Sequence, residues 1–135
     1  MDKEQLLNEM IEKQRNGCSI NKLLACSDLK RIIKYTDKSI FDTDDCCIWQ
    51  GYVTNNKGKY INFYFNRKKV ALHRLLYLNF KDELYDNSYL TFTCTNKGIC
   101  CNLNHLYVKK CYANKNNIKT NIETPVCYPN IVYFD

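Results

Sequence analysis

LTFTCTNKGICCNLNHLYVKKCYAN, residues 90–114, is the stretch that decides how this chain folds. Cys94, Cys100 and His105 fall close together in it, with five and then four residues between them. Thiolate and imidazole are the donors zinc prefers, and a structural zinc takes four of them in a tetrahedron. The loop between Cys94 and His105 is polar and contains a glycine, so it has little of its own to bury. A metal would replace the missing core. The fourth donor has to come from outside the loop, and CCIW upstream offers Cys46 or Cys47. Side-chain alternation along a strand turns one of these inward and the other outward. The competing reading is a set of buried free thiols beside a capped histidine.

Upstream of the loop, Ile48 to Val53 reads as a strand, residues 55–58 (NNKG) as a turn and Lys59 to Phe65 as a second strand. Alternation sends Ile61, Phe63 and Phe65 to one face and Tyr60, Asn62 and Tyr64 to the other. The second set lies near Lys57, Lys59, Arg67, Lys68 and Lys69. Together they form a polar, aromatic and basic face. A two-stranded ribbon fits the DNA major groove, and Asn, Lys and Arg are types that contact bases and phosphates. The bland alternative is a solvated hairpin face. Val70 to Phe80 reads as a helix with Leu72, Leu75, Leu76 and Phe80 on its buried stripe. A strand over Ser88 to Thr93 feeds the loop, and His105 to Val108 returns from it. Tyr112 to Thr120 reads as an Asn-rich helix, and residues 121–135 as a tail that packs as an edge strand or meets a partner.

The first 45 residues read differently. Asp2 to Gln14 forms an amphipathic helix through Leu6, Leu7, Met10 and Ile11, with Gly17 as its left-handed cap. Ser19 to Ala25 reads as a short second helix with Ile20, Leu23 and Leu24 inward. A third, Asp28 to Tyr35, is capped by Ser27 and buries Leu29, Ile32 and Ile33. Three short helices resemble a helix-turn-helix, but this region holds nine Asp/Glu against eight Lys/Arg and shows no basic recognition face. A helical cap or a partner-docking arm fits it better.

The charge lies elsewhere. Residues 46–135 hold twelve Lys/Arg against five Asp/Glu, so the net +6 of the 135-residue chain belongs to the part with the cysteine loop. Such a region suits a polyanion, most commonly nucleic acid. Nine cysteines, an odd number, with no secretory signal at the N-terminus argue against a disulfide framework. The expected location is intracellular, in a reducing compartment, with some thiols ligating metal and the rest buried; Cys101 and Cys111 read as core thiols in preference to extra ligands. No run of 18 apolar residues exists, so no transmembrane helix or membrane partner is expected. Sixteen lysines against four arginines, with abundant asparagine, suggest an AT-rich genome of viral or phage type.

The order CCIWQG, KGKYINF, VALHRLLYLNF, LTFTCTNKGICCNLNHLYV, YANKNN resembles the His-Me finger (HNH-type) nucleases. The nearest branch is the intron-encoded and phage homing endonucleases with a structural zinc loop. The resemblance spans roughly residues 46–118. It implies that Cys94, Cys100 and His105 hold a structural Zn²⁺, with Cys46 as fourth ligand because it stands three residues before Trp49. It places Asn114 at the Mg²⁺-binding position and His73 on a packing helix. The family's general base lies two residues before the first loop cysteine, and that residue here is Phe92. Phenylalanine cannot take a proton, and losing a general base costs about 10²–10⁴-fold or more. The family's Asn-Pro is Asn102-Leu103 here, and no ligand set remains for a second zinc cluster.

The resulting expectation is an α+β chain: a zinc-stabilised ββα, His-Me finger-like domain over residues 46–120 with an antiparallel hairpin, a helical segment over residues 1–45, and a tail over 121–135. Its expected function is DNA binding on a catalytically degenerate homing-endonuclease-like fold. Two alternatives stand beside it. One is an active Mg²⁺-dependent endonuclease or nickase using Asn114. The other is a protein-interaction scaffold whose residues 1–45 dock a partner; a homodimer is a separate partner expectation.

Overall fold

The computed structural model describes residues 1–109. They form a mixed α and β chain with three helices and three small antiparallel hairpins. The helices are α1 (Lys3–Lys13), α2 (Cys26–Ile33) and α3 (Leu72–Phe80). The strands are β1 (Thr54–Asn55), β2 (Lys59–Tyr60), β3 (Asn62–Phe65), β4 (Lys68–Ala71), β5 (Tyr89–Phe92) and β6 (Leu106–Lys109). They pair as β1–β2, β3–β4 and β5–β6. The helix expected over Tyr112 to Thr120, with Asn114, and the tail from 121 lie outside the described residues, as do Cys111 and Cys127. Among the described residues no helix is long and apolar enough to cross a membrane.

One core joins the three helices to strands β3, β5 and β6. Leu6 and Met10 of α1, Leu29, Ile32 and Ile33 of α2, Ile61, Phe63 and Phe65, and Leu72, Leu75 and Leu76 of α3 belong to a single buried cluster. Residues 1–45 therefore bury their apolar faces against the rest of the chain.

Helix α1 starts where its sequence asks it to. The Asp2 carboxylate accepts from the Gln5 amide at 2.8 Å, and the Gln5 side chain accepts from the Asp2 amide at 2.9 Å. This reciprocal cap satisfies two of the backbone donors that a helix start leaves over. Its end differs from the expectation. Gln14 is extended, and its amide donates to Leu24 O and to Asn79 Oδ1 at 3.0 and 2.8 Å, so tertiary hydrogen bonds stop the helix instead of a left-handed Gly17.

The helix expected over Ser19 to Ala25 does not form. The buried Asn79 of α3 takes the backbone that such a helix would use: its Oδ1 accepts from Leu24 N at 2.9 Å and its Nδ2 donates to Lys22 O at 2.9 Å. Of the three residues expected inward, Leu24 is buried, while Ile20 is 87% and Leu23 39% exposed. Helix α2 begins two residues before the expected Asp28, because the Asp28 carboxylate reaches back to accept from Ala25 N at 2.9 Å and makes Ala25 the cap in place of Ser27.

The hairpin region also departs from its expected pairing. Ile48 to Val53 is not a strand of the hairpin. Ile48 bridges Cys100, and Gln50 N donates to Tyr35 O at 2.7 Å. The turn at residues 55–58 does form, with Lys57 and Gly58 at φ of 62° and 118°. The strand expected over Lys59 to Phe65 is divided at Ile61, where pairing passes from β1 to β4. Strand β4 takes Val70 and Ala71, which the expected helix had claimed. The β3–β4 turn carries Asn66 and Arg67 at φ of 51° and 68°, the two positive values a type I′ turn needs. Inward and outward faces agree with the expectation: Ile61, Phe63 and Phe65 are buried, while Asn62 and Tyr64 are exposed.

Candidate metal centre

Strands β5 and β6 pair Phe92 with Leu106 and Leu90 with Val108, and Thr93 N donates to His105 O at 2.9 Å. The loop from Cys94 to His105 thus leaves and re-enters the open end of one hairpin, which sets its first and last ligands side by side. A second pairing supplies the others. Cys101 N donates to Cys47 O at 2.7 Å and Trp49 N to Ile99 O at 2.9 Å, flanking the Ile48–Cys100 bridge. Cys46 is thereby carried to Cys100. The neighbouring thiols point the other way, and Cys47 and Cys101 are fully buried in the core.

The donor atoms of Cys46, Cys94, Cys100 and His105 all lie within 4.8 Å of one another. His105 Nδ1 is 3.5 Å from Cys46 Sγ and 3.5 Å from Cys100 Sγ. Metal–sulfur bonds of about 2.3 Å and metal–nitrogen bonds of about 2.0 Å at tetrahedral angles give a sulfur–nitrogen edge of about 3.5 Å. The arrangement fits a four-coordinate ion. His105 Nε2 donates to Asp44 O at 3.0 Å, which fixes the tautomer and leaves Nδ1 free to ligate. The group can hold a metal ion such as zinc. Four protein donors leave no open position, the mark of a structural site and not of a catalytic one.

The electrostatics divide the thiols. The Asn96 amide donates to Cys46 Sγ at 3.3 Å, and this hydrogen bond, by favouring the thiolate, is the main cause of a lowered pKa there. Burial raises Cys94, and raises Cys100 to about 12. Burial pushes Cys47 to about 12 as well and raises Cys101 well above the usual thiol value, so these two are inert core thiols.

Some supporting residues carried no sequence signal. Asn102 is fully buried; its Nδ2 donates to Asp42 O at 2.9 Å and to Asp45 O at 2.6 Å, and its Oδ1 caps the single 3-10 turn, Leu103–His105, through Asn104 N at 2.8 Å. Asn104 adds a bond to Asp42 O at 2.8 Å. These asparagines fasten the segment before Cys46 to the loop. Lys81 Nζ donates to Leu103 O and Leu106 O, both at 2.8 Å, from the end of α3. The cluster NLNH shows three polar residues near a ligand, but not that they bind backbone some sixty positions away.

Gly98, at φ of 84°, lies directly on β2: a Cβ there would overlap the Lys59 carbonyl oxygen and stand 2.7 Å from its carbon. Gly98→Ala is expected to destabilise the protein by at least about 2 kcal/mol, left-handed strain plus a backbone clash, in thermal denaturation. An unchanged melting curve would show that the loop tip is not seated on β2.

The residues expected to contact nucleic acid fall on two hairpins. Lys57 and Lys59 are exposed on β1–β2, beside a half-buried Tyr60. Asn62 and Tyr64 are exposed on β3, Lys69 is paired opposite Tyr64, and Arg67 and Lys68 stand at the turn. Arg31 of α2 joins this second group, donating to Tyr64 O at 2.9 Å with its guanidinium 4.2 Å from the centre of the Phe63 ring.

No family model matches the chain, and no solved structure matches it. The chain is similar to the uncharacterized protein R328 of Acanthamoeba polyphaga mimivirus, 55% identical over 118 residues that cover 84% of this chain and 34% of that protein. The chain spans about a third of the length of that relative. A viral relative accords with the source expected from the lysine- and asparagine-rich composition.

Proposed function

We propose that this chain is a zinc-stabilised DNA-binding module of His-Me finger type in which the nuclease centre has been given up. The proposal rests chiefly on the disposition of the chain's two histidines. His105 belongs to the metal cluster. His73 is buried, donates from Nε2 to Cys100 O at 2.8 Å, and is held to a pKa of about 4 chiefly by burial. Neither can act as a general base toward a bound substrate. Phe92, at the position where the family keeps that base, is a core residue packed edge-on to His73 at 5.0 Å between ring centres. What the fold still offers a polyanion is charge: between Cys46 and Lys81 the sequence has no Asp or Glu at all.

Binding that neutralises phosphates weakens steeply with salt. Gel shifts of duplex DNA at rising salt are expected to show affinity falling about 10-fold or more between about 50 and 200 mM. In parallel, the protein with Mg²⁺ or Mn²⁺ is expected to leave supercoiled plasmid intact. Metal-dependent nicking lost in Asn114→Ala would establish the endonuclease reading instead, and absent or salt-insensitive binding would remove the DNA-binding one.

A further inference from the structure

The tripeptide Asn-Lys-Gly occurs twice, at residues 56–58 and 96–98. The first is the tip of the β1–β2 hairpin and the second the tip of the metal loop. Both glycines have positive φ, 118° and 84°, so both tripeptides are tight turns, and Lys57 and Lys97 are exposed. The fold brings the two turns together, since Gly98 abuts the Lys59 carbonyl. With bonded neighbours about 3.8 Å apart at Cα, the backbone of Lys97 lies within roughly 8 Å of that of Lys59. Lys57 is two residues from Lys59, so the three lysines lie in one neighbourhood of the surface. Neither turn segment contains an acidic residue, and none of the ion pairs among the described residues involves these three lysines.

We infer that the two Asn-Lys-Gly turns form one composite phosphate-binding surface for duplex DNA, with Lys97 delivered to it by the metal loop. The inference rests on the DNA-binding reading above and extends it to a residue of the loop itself. Three crowded like charges repel one another, and a phosphodiester backbone is the partner that neutralises them together. The coupling to the metal is direct. Asn96 donates to the ligand Cys46 and accepts from Cys100 N at 3.1 Å, Lys97 is the next residue, and Gly98 seats the tip on β2. Loss of the metal would release Lys97 from the surface, so the site would bind DNA only in the metal-loaded protein.

The test uses the full chain and fluorescence anisotropy of a short duplex DNA across a salt series, with wild type, Lys57→Ala, Lys97→Ala, the double variant and Lys97→Arg. Each alanine variant is expected to bind several-fold more weakly and to lower the salt slope by about 0.9, one phosphate contact's worth. The double variant should lose about twice that slope, and Lys97→Arg should keep it. Unchanged melting curves would separate charge loss from misfolding. Lys97→Ala binding like wild type while Lys57→Ala is weakened would overturn the composite surface and leave the DNA-binding reading standing. Wild type failing to bind would overturn both.

Discussion

Chelation is expected to unfold this protein. A structural zinc in a small domain contributes on the order of 10–16 kcal/mol of apparent binding energy, while whole domains are stable by about 5–15 kcal/mol. The ligands here join three parts of the chain: Cys46 ahead of the hairpins, Cys94 at the end of β5, and Cys100 with His105 across the loop. The buried Cys100, Cys101, Leu103 and Leu106 belong to the same core as Leu72, Leu75 and Leu76, so opening the loop exposes the middle of the molecule. Without a cation, the half-buried Cys94 and the buried Cys100 revert to thiols with raised pKa values and hold nothing together. A melting temperature lowered by more than about 20 °C is expected after metal removal, given the roughly 4 °C that each kcal/mol shifts in a domain of this size. Restoring zinc should restore it. A melting curve indifferent to chelation would show that the thiols and the imidazole are ordinary core groups.

Asn102→Ala is expected to be the most damaging single substitution that leaves every ligand in place. The side chain is fully buried and makes three hydrogen bonds, to Asp42 O, to Asp45 O and from Asn104 N. Asp42 O keeps a second donor in Asn104, so the main orphan is Asp45 O, next to the ligand Cys46. An orphaned acceptor costs up to about 1–3 kcal/mol and a lost cap about 0.5–2 kcal/mol, for a total of about 1.5–5 kcal/mol in denaturant unfolding. Metal affinity should fall about 10–100-fold, as is usual when a group that orients a ligand is lost. Asn102→Asp is the informative companion. It keeps the oxygen that caps the 3-10 turn but turns a carboxylate toward two carbonyls, so it should be no better than alanine. An aspartate variant near wild type would mean that the cap, and not the grip on residues 42 and 45, carries the effect.

How much of this was legible depended on how local each signal was. The loop ligands were readable because Cys94, Cys100 and His105 lie within a few residues and their chemistry is specific. The apolar faces of α2 and α3 were readable because helical spacing depends on near neighbours only; of the stripe expected on α1, Leu6 and Met10 are buried while Ile11 is 48% exposed. Cys46 came from the family resemblance; the residues alone left Cys47 open, and it is the Cys101–Cys47 backbone pairing that turns one sulfur to the cluster and the other to the core. The β3–β4 hairpin was missed because Asn66-Arg67 is not a strong I′ signature, although the structure gives both residues the required positive φ. The absent helix near Ser19 was a tertiary override, since Asn79 takes backbone partners 55 and 57 positions away. Asn96, Asn102 and the Asp44 carbonyl were invisible for the same reason: they act over long sequence separations, and through backbone atoms that every residue possesses.

Cys46, Cys94, Cys100 and His105 are expected to hold one structural zinc together. Elemental analysis of the purified chain, beside Cys46→Ser, tests it most directly. About one zinc per chain is expected in the wild type, and a loss of both zinc and cooperative unfolding in the variant, as when a closed four-ligand site loses a donor. A folded wild-type protein without stoichiometric metal, or a Cys46→Ser variant that keeps its zinc and its melting curve, would contradict it.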